Sequence, residues 1–164
     1  MQFFELLIPG PLLLPTETSR LKIWHNRLTR FFVVKAEVTD LDADALTFSA
    51  QKTMYDGKLI AVSDSLFLFA SENQGGLGLF ARGVVASVEH IARKPDIERQ
   101  TPRVSVTIKR LTKAKRRLGR IRLKPFCNWN DDRPQTELNF KLYRQATNKV
   151  GVSASTGAFL QGFF

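Results

Sequence analysis

The chain has 164 residues, of which 43% are hydrophobic, 24% charged and 10% aromatic. That is enough apolar content for one sizeable core in a single domain over residues 1–164, and too much for a chain disordered throughout. Its 25 Lys and Arg against 15 Asp and Glu leave a net charge of +10, and nine of the basic residues stand between Lys109 and Lys124 with no acidic residue among them. A near-neutral body with one cationic stretch reads as a polyanion-binding surface, for nucleic acid before anionic lipid.

Residues 1–15, MQFFELLIPGPLLLP, read as a strand followed by a proline-rich apolar segment. The stretch is apolar, but it has no basic n-region, carries Glu5, and is broken by Pro9, Gly10, Pro11 and Pro15, so a signal peptide is not expected. Thr16 to Arg30 reads as a helix: Thr16 or Thr18 can cap it, and Leu21, Trp24 and Leu28 recur at helical spacing. Phe31 to Val38 alternates as a strand, with Phe32, Val34, Ala36 and Val38 on one side and Lys35 and Glu37 on the other. Asp40, Asp42 and Asp44 mark a turn, and Ala45 to Ala50 a short strand. Leu59 to Val62 and Ser65 to Ala70 are also read as strands. The glycine-bearing loop SENQGGLG then joins SLFLFA to the long strand LFARGVVASVEHI as an antiparallel hairpin.

Arg103 to Leu111 alternates Val104, Val106 and Ile108 against polar residues, and Leu118 to Leu123 alternates again, so these two runs are expected to pair with the basic cluster at their connection. Helical character returns at Leu138 to Tyr143, and Ser153 is placed to cap a last helix carrying Ala158, Phe159, Leu160 and Phe163. No internal repeat is present. The sum is an α+β protein built on a small, mostly antiparallel β-barrel of five to seven strands with peripheral helices.

Several chemistries are excluded by their missing parts. The Asp40, Asp42, Asp44 triplet has the opening spacing of a calcium loop, but Ala45 stands where Gly is needed and Gln51 where a bidentate Glu is needed. His25, His90 and Cys127 match no zinc spacing, and GGLG lacks the Gly-Lys-Ser/Thr ending of a phosphate-cradling loop. No metal or cofactor is therefore expected. Asp131 and Asp132 with Glu137 could hold a metal as a nuclease requires, yet adjacent acids before Arg133 and Pro134 read more simply as a solvated turn. A lone cysteine cannot form an internal disulfide and points to a reducing, cytoplasmic setting. No run approaches the roughly 18 apolar residues of a membrane span, so a soluble protein without a membrane partner is expected.

The positive chemistry lies in cations and indoles. Lys109, Arg110, Lys113, Lys115, Arg116, Arg117, Arg120, Arg122 and Lys124 are the candidate phosphate ligands. If roughly five of them touch phosphates, log K should fall against log salt with a slope of about −4. Most phenylalanines sit in apolar runs and read as core. Trp24, beside His25 and Asn26, and Trp129, in CNWND, each place an indole among hydrogen-bonding groups. Aromatic faces stack on bases while Asn and its like read base edges, which is what a pocket for one extruded base requires.

From Val62 the reading VSDSLFLFASENQGGLGLFARGVVASVEH resembles the EVE family of the PUA-like superfamily, in which an apolar-aromatic strand precedes a glycine-bearing strand ending in an A-x-G-V-V sequence, here Ala81 to Val85. The tail KLYRQATNKVGVSASTGAFLQGFF is similar to the end of such domains. The opening of the chain departs from the family, which usually starts with a Trp-bearing strand and a Lys-x-Glu-Pro-like sequence.

The resemblance implies a PUA-like barrel whose concave face takes a nucleobase, often a modified one, in DNA or RNA. It implies a pocket from Phe69, Ser71, Glu72 and Arg82 with Trp24, His25, Asn26 and Trp129. A non-catalytic binding module is the preferred reading. The alternatives are a general RNA- or polyanion-binding protein without base specificity, and a small metal-dependent nuclease or base-modifying enzyme using Asp131, Asp132 and Glu137 or His90. Oligomeric state is not readable from the sequence.

Overall fold

In the computed structural model, residues 30–146 and 148–164 are described, apart from the side chain of Arg110. Six strands, β1 (Phe31–Ala36), β2 (Ala45–Met54), β3 (Ser65–Ala70), β4 (Gly78–His90), β5 (Arg103–Lys113) and β6 (Lys149–Val152), close into a barrel in the order β1-β3-β4-β5-β2-β6. The β1–β3 and β2–β6 pairings are parallel and the other four antiparallel. The mostly antiparallel barrel expected from the sequence is thus the observed architecture.

β3 shows why the sequence there is apolar without alternation. Leu66 and Leu68 point into the barrel with Phe32, Val34, Val104, Val106 and Ile108. Phe67 and Phe69 point outward, yet they are buried too, because a helical layer covers that wall. A strand covered on both faces has no polar side to show. The layer comprises α1 (Arg120–Leu123), α2 (Pro134–Leu138), a π-helical segment (Asn139–Arg144) and α3 (Ala154–Gln161). Its Leu123, Leu138, Leu142 and Leu160 pack with Val33, Phe67, Phe69, Leu79 and Val150 of the barrel wall into a second core. Each fully buried side chain of this size contributes about 1.5–3 kcal/mol.

Two expectations are corrected. Leu59 to Val62 is not a strand: Gly57–Leu59 forms a 3₁₀ turn after Asp56, whose φ of 61° is left-handed, and only Ile60 of the apolar set is buried. Leu118 to Leu123 does not pair with β5, which lies between β4 and β2. It contains α1, where Glu72 accepts the exposed N–H of Arg120 at 2.9 and 3.1 Å. Leu118 and Leu123 turn inward from the two ends of that turn, so the alternation was not that of a strand. By contrast Ser153 caps α3 as expected, its Oγ accepting from Thr156 N–H at 3.2 Å. The expected strand and helix before Arg30 lie outside the described residues.

Gly78 allows α1 to sit against the barrel. Its φ is +78°, and a Cβ there would collide with the Leu118 carbonyl oxygen, which accepts from Leu79 N–H at 2.8 Å. Gly78→Ala should lower stability by about 2 kcal/mol through strain and overpacking. Calorimetry checks this, and an unchanged melting midpoint would contradict the close approach.

Candidate nucleic-acid interface

The site grows from the junction of β2, β6 and the helical layer. After β2 the chain turns through Tyr55 and Asp56, both left-handed at φ 47° and 61°. Side chains other than glycine adopt that conformation at a cost, so the surrounding contacts must hold it. They do: Tyr55 C=O accepts from Gly151 N–H at 2.8 Å, and the Tyr55 hydroxyl donates to Gln145 Oε1. The ring is thereby fixed beside β6, with Lys141 Nζ 4.6 Å from its centroid.

Lys141 lies in the π-helical segment, one turn after Glu137, and is nearly buried. Its Nζ donates to Glu137 Oε1 at 2.6 Å and to Gly151 C=O at 2.8 Å. Glu137 also accepts from Ser153 N–H at 3.1 Å, from Ser153 Oγ at 2.6 Å and from Thr156 Oγ1. Burial opposes the charge on Glu137, but the bonds from Lys141, Ser153 and Thr156 outweigh it and hold the carboxyl below its ordinary value. The network ties α2, α3, the π segment and β6 together. With its acceptor sites taken, Glu137 serves as the rigid floor of the site.

Two adjoining cavities open on this floor and share Tyr55, Glu137, Lys141 and Ser153. One, of about 510 Å³, extends toward Arg30, Phe31 and Leu59. The other, of about 430 Å³, extends to Trp129, Asp132, Arg133 and Ser155. Trp129 is 52% exposed and rests on Phe140, with centroids 4.1 Å apart. Its position is set by local turn chemistry. Asn128 Oδ1 accepts from Asn130 N–H at 3.3 Å, Asp131 Oδ1 accepts from Arg133 N–H at 3.0 Å, and Pro134 then opens α2. The cavity therefore has an open indole, a fixed phenol ring and polar rims.

The other expected pocket residues are dispersed. Phe69 is corrected from pocket to core, being packed in the cluster under the helical layer. Ser71 organises its loop through its carbonyl, which accepts from Gly76 N–H at 2.8 Å. Glu72 is occupied with Arg120, and Arg82 lies over the Phe164 ring at 5.0 Å. None of Ser71, Glu72 and Arg82 lines the two cavities with Trp129. Trp24, His25 and Asn26 fall outside the described residues.

The basic run is divided by the fold. Lys109 and Lys113 lie on β5, Lys115, Arg116 and Arg117 on the following turn, and Arg120, Arg122 and Lys124 at α1. These eight side chains are exposed. Lys113 is paired with Asp42, whose carboxyl is lowered by that bond. Lys115 Nζ and Arg116 Nη2 donate to the backbone oxygens of Phe164 and Gly162 at 3.1 and 2.8 Å. Among the described residues no three His, Cys, Asp or Glu side chains come together as a metal site would need. No helix among them is long and apolar enough to cross a membrane.

Tyr55, Lys141 and Ser153 were not singled out as site residues in the sequence. The spacing of Glu137 and Lys141, i and i+4 in a helical stretch, was the available signal for the floor.

No protein-family model matches the sequence, and no curated protein matches it. Solved structures do share the fold. A structural-genomics protein from Pseudomonas putida superposes with a TM-score of 0.54 over 81% of this chain and 98% of its own, at 13% identity. Human THYN1 in complex with 5-methylcytosine-containing DNA superposes with a TM-score of 0.50 over 81% of this chain and 96% of its own, at 12% identity. The closed barrel with its helical cover is thus a PUA-like fold. It is the fold that THYN1 and the Pseudomonas putida protein share with this chain, and the one that the sequence resemblance implied.

Proposed function

We propose that this protein is a non-catalytic nucleic-acid-binding module that takes one base, in modified form, into the cavity between Tyr55 and Trp129 while exposed basic residues of 109–124 hold the backbone. The observation that carries the reading is Trp129, a half-exposed indole lining a cavity of about 430 Å³ over a hydrogen-bonded floor. A buried core tryptophan would not keep an open face, and stacking on such a face contributes about 1–3 kcal/mol per base. The binding of 5-methylcytosine DNA by THYN1, which has the same fold, supports the choice of ligand class. A cytoplasmic setting belongs to the reading, in keeping with a single exposed cysteine, Cys127.

The test is equilibrium binding of DNA and RNA oligonucleotides with and without 5-methylcytosine at several salt concentrations. Trp129→Ala should weaken binding of the modified oligonucleotide about tenfold and leave the salt slope unchanged, because counterion release does not distinguish bases. Equal affinities for all oligonucleotides, collapsing together as salt rises, would instead make the protein a general polyanion binder.

A further inference from the structure

Ile121 is 88% exposed, more than any other large hydrophobic side chain among the described residues. It stands at the middle of α1, and the exposed side chains around it in sequence are Arg117, Arg120, Arg122 and Lys124. Leu77, 57% exposed, approaches the same turn through its carbonyl oxygen, which faces Gly119. A scattered surface isoleucine needs no explanation, but this one is rigidly presented. Leu118 and Leu123 anchor the turn in the second core on either side of it. The Leu118 carbonyl is bonded to β4 at Leu79, and Glu72 holds the Arg120 N–H.

An apolar knob with four cations beside it in sequence, and with the Glu72 carboxylate at its foot taken up by the Arg120 N–H, complements a nucleic-acid duplex, where phosphates flank stacked bases. We propose that Ile121 is a wedge that enters a duplex between base steps while the neighbouring cations hold the phosphates, and that it fills the stack when a base leaves it. The inference rests on the reading of the cavity as a base site. It adds that the substrate is a duplex, opened by this protein itself. The packing supports such a wedge, because α1 lies against α2 and the π segment, and Phe140 of that segment carries Trp129, so wedge and cavity share one rigid layer.

The test compares Ile121→Ala and Ile121→Phe on a duplex with one 5-methylcytosine and on the same strand alone. Ile121→Ala should weaken duplex binding about tenfold and leave single-strand binding unchanged, and Ile121→Phe should retain duplex binding. A 2-aminopurine beside the methylated base should brighten with the parent protein and not with Ile121→Ala. Equal effects on duplex and single strand, or none, would overturn the wedge. So would binding of the parent protein to phosphatidylserine–phosphatidylcholine vesicles that Ile121→Ala abolishes, which would make the knob a membrane contact. Loss of methyl preference in Trp129→Ala reports on the cavity alone, so the two ideas fail separately.

Discussion

Replacing Glu137 by alanine will cost about 4 kcal/mol of stability, a large share of what a domain of this size possesses. The carboxylate takes bonds from Lys141, from Ser153 and from Thr156, and both it and Lys141 are largely screened from water. Removing it takes the counter-charge from the Lys141 ammonium beside Gly151 C=O, and leaves the N–H of Ser153 unpaired at the start of α3. Urea denaturation measures the loss. The pair Glu137→Gln with Lys141→Met should recover most of it, because the cost comes chiefly from leaving the buried Lys141 ammonium without this carboxylate and not from the missing attraction. A loss below about 1 kcal/mol for Glu137→Ala would mean that the floor is not a stabilising element.

The same group sets an acid limit. Its carboxyl lies below the ordinary 4.5, so its contribution is complete above that pH and disappears as pH falls through the lower folded value.

The second expectation concerns Lys149, which is completely buried. It alternates with Val150 on β6, so while Val150 faces the helical layer, Lys149 faces the barrel interior. There its Nζ donates to Val104 C=O at 2.9 Å. Burial lowers its pKa from 10.5 to about 8. Between those values the unfolded chain holds a proton that the folded chain has released, so stability must rise with pH across that window. The gain is about 3 kcal/mol. Lys149→Met should remove most of the rise, what remains coming from Lys35, which burial lowers in the same sense, and should be at least as stable as the parent at neutral pH, since the buried charge is gone. Tyr143, whose phenol is raised by burial and by Glu72, acts in the opposite sense above pH 10, lowering stability as pH rises, and the difference between parent and variant cancels its contribution. A flat profile for the parent protein over pH 8 to 10.5 would show that Lys149 reaches water.

What the sequence made legible follows the range of the interactions involved. β1, β4 and β5 announce themselves because alternation is a local property, and β3 because five successive buried residues leave no polar position. Trp129 was visible through its polar neighbours, which proved to be the turn that positions it. Tyr55 was not, since a left-handed turn residue gains its role from Gly151, almost a hundred positions away in the chain. Phe69 was misassigned because an outward-facing aromatic on a strand looks available until the covering layer is known. Leu118 and Leu123 looked like strand positions because the period of a single helical turn is too short to declare itself. The pairing of β6 between β1 and β2 rests on contacts such as Phe31 with Val152, for which no local pattern exists.

That last pairing has a consequence for the birth of the molecule. The ring is closed by its latest strand, so a chain leaving the ribosome holds β1 and β2 with one open edge each until residues 149–152 follow. Synthesis and closure run in opposed order. Through nearly the whole emergence of the described residues, two strands offer unsatisfied backbone to any neighbour that can pair with them. Four residues, Lys149–Val152, close the ring by pairing with Phe31 to Val34 of β1 and with Thr53 and Met54 at the end of β2.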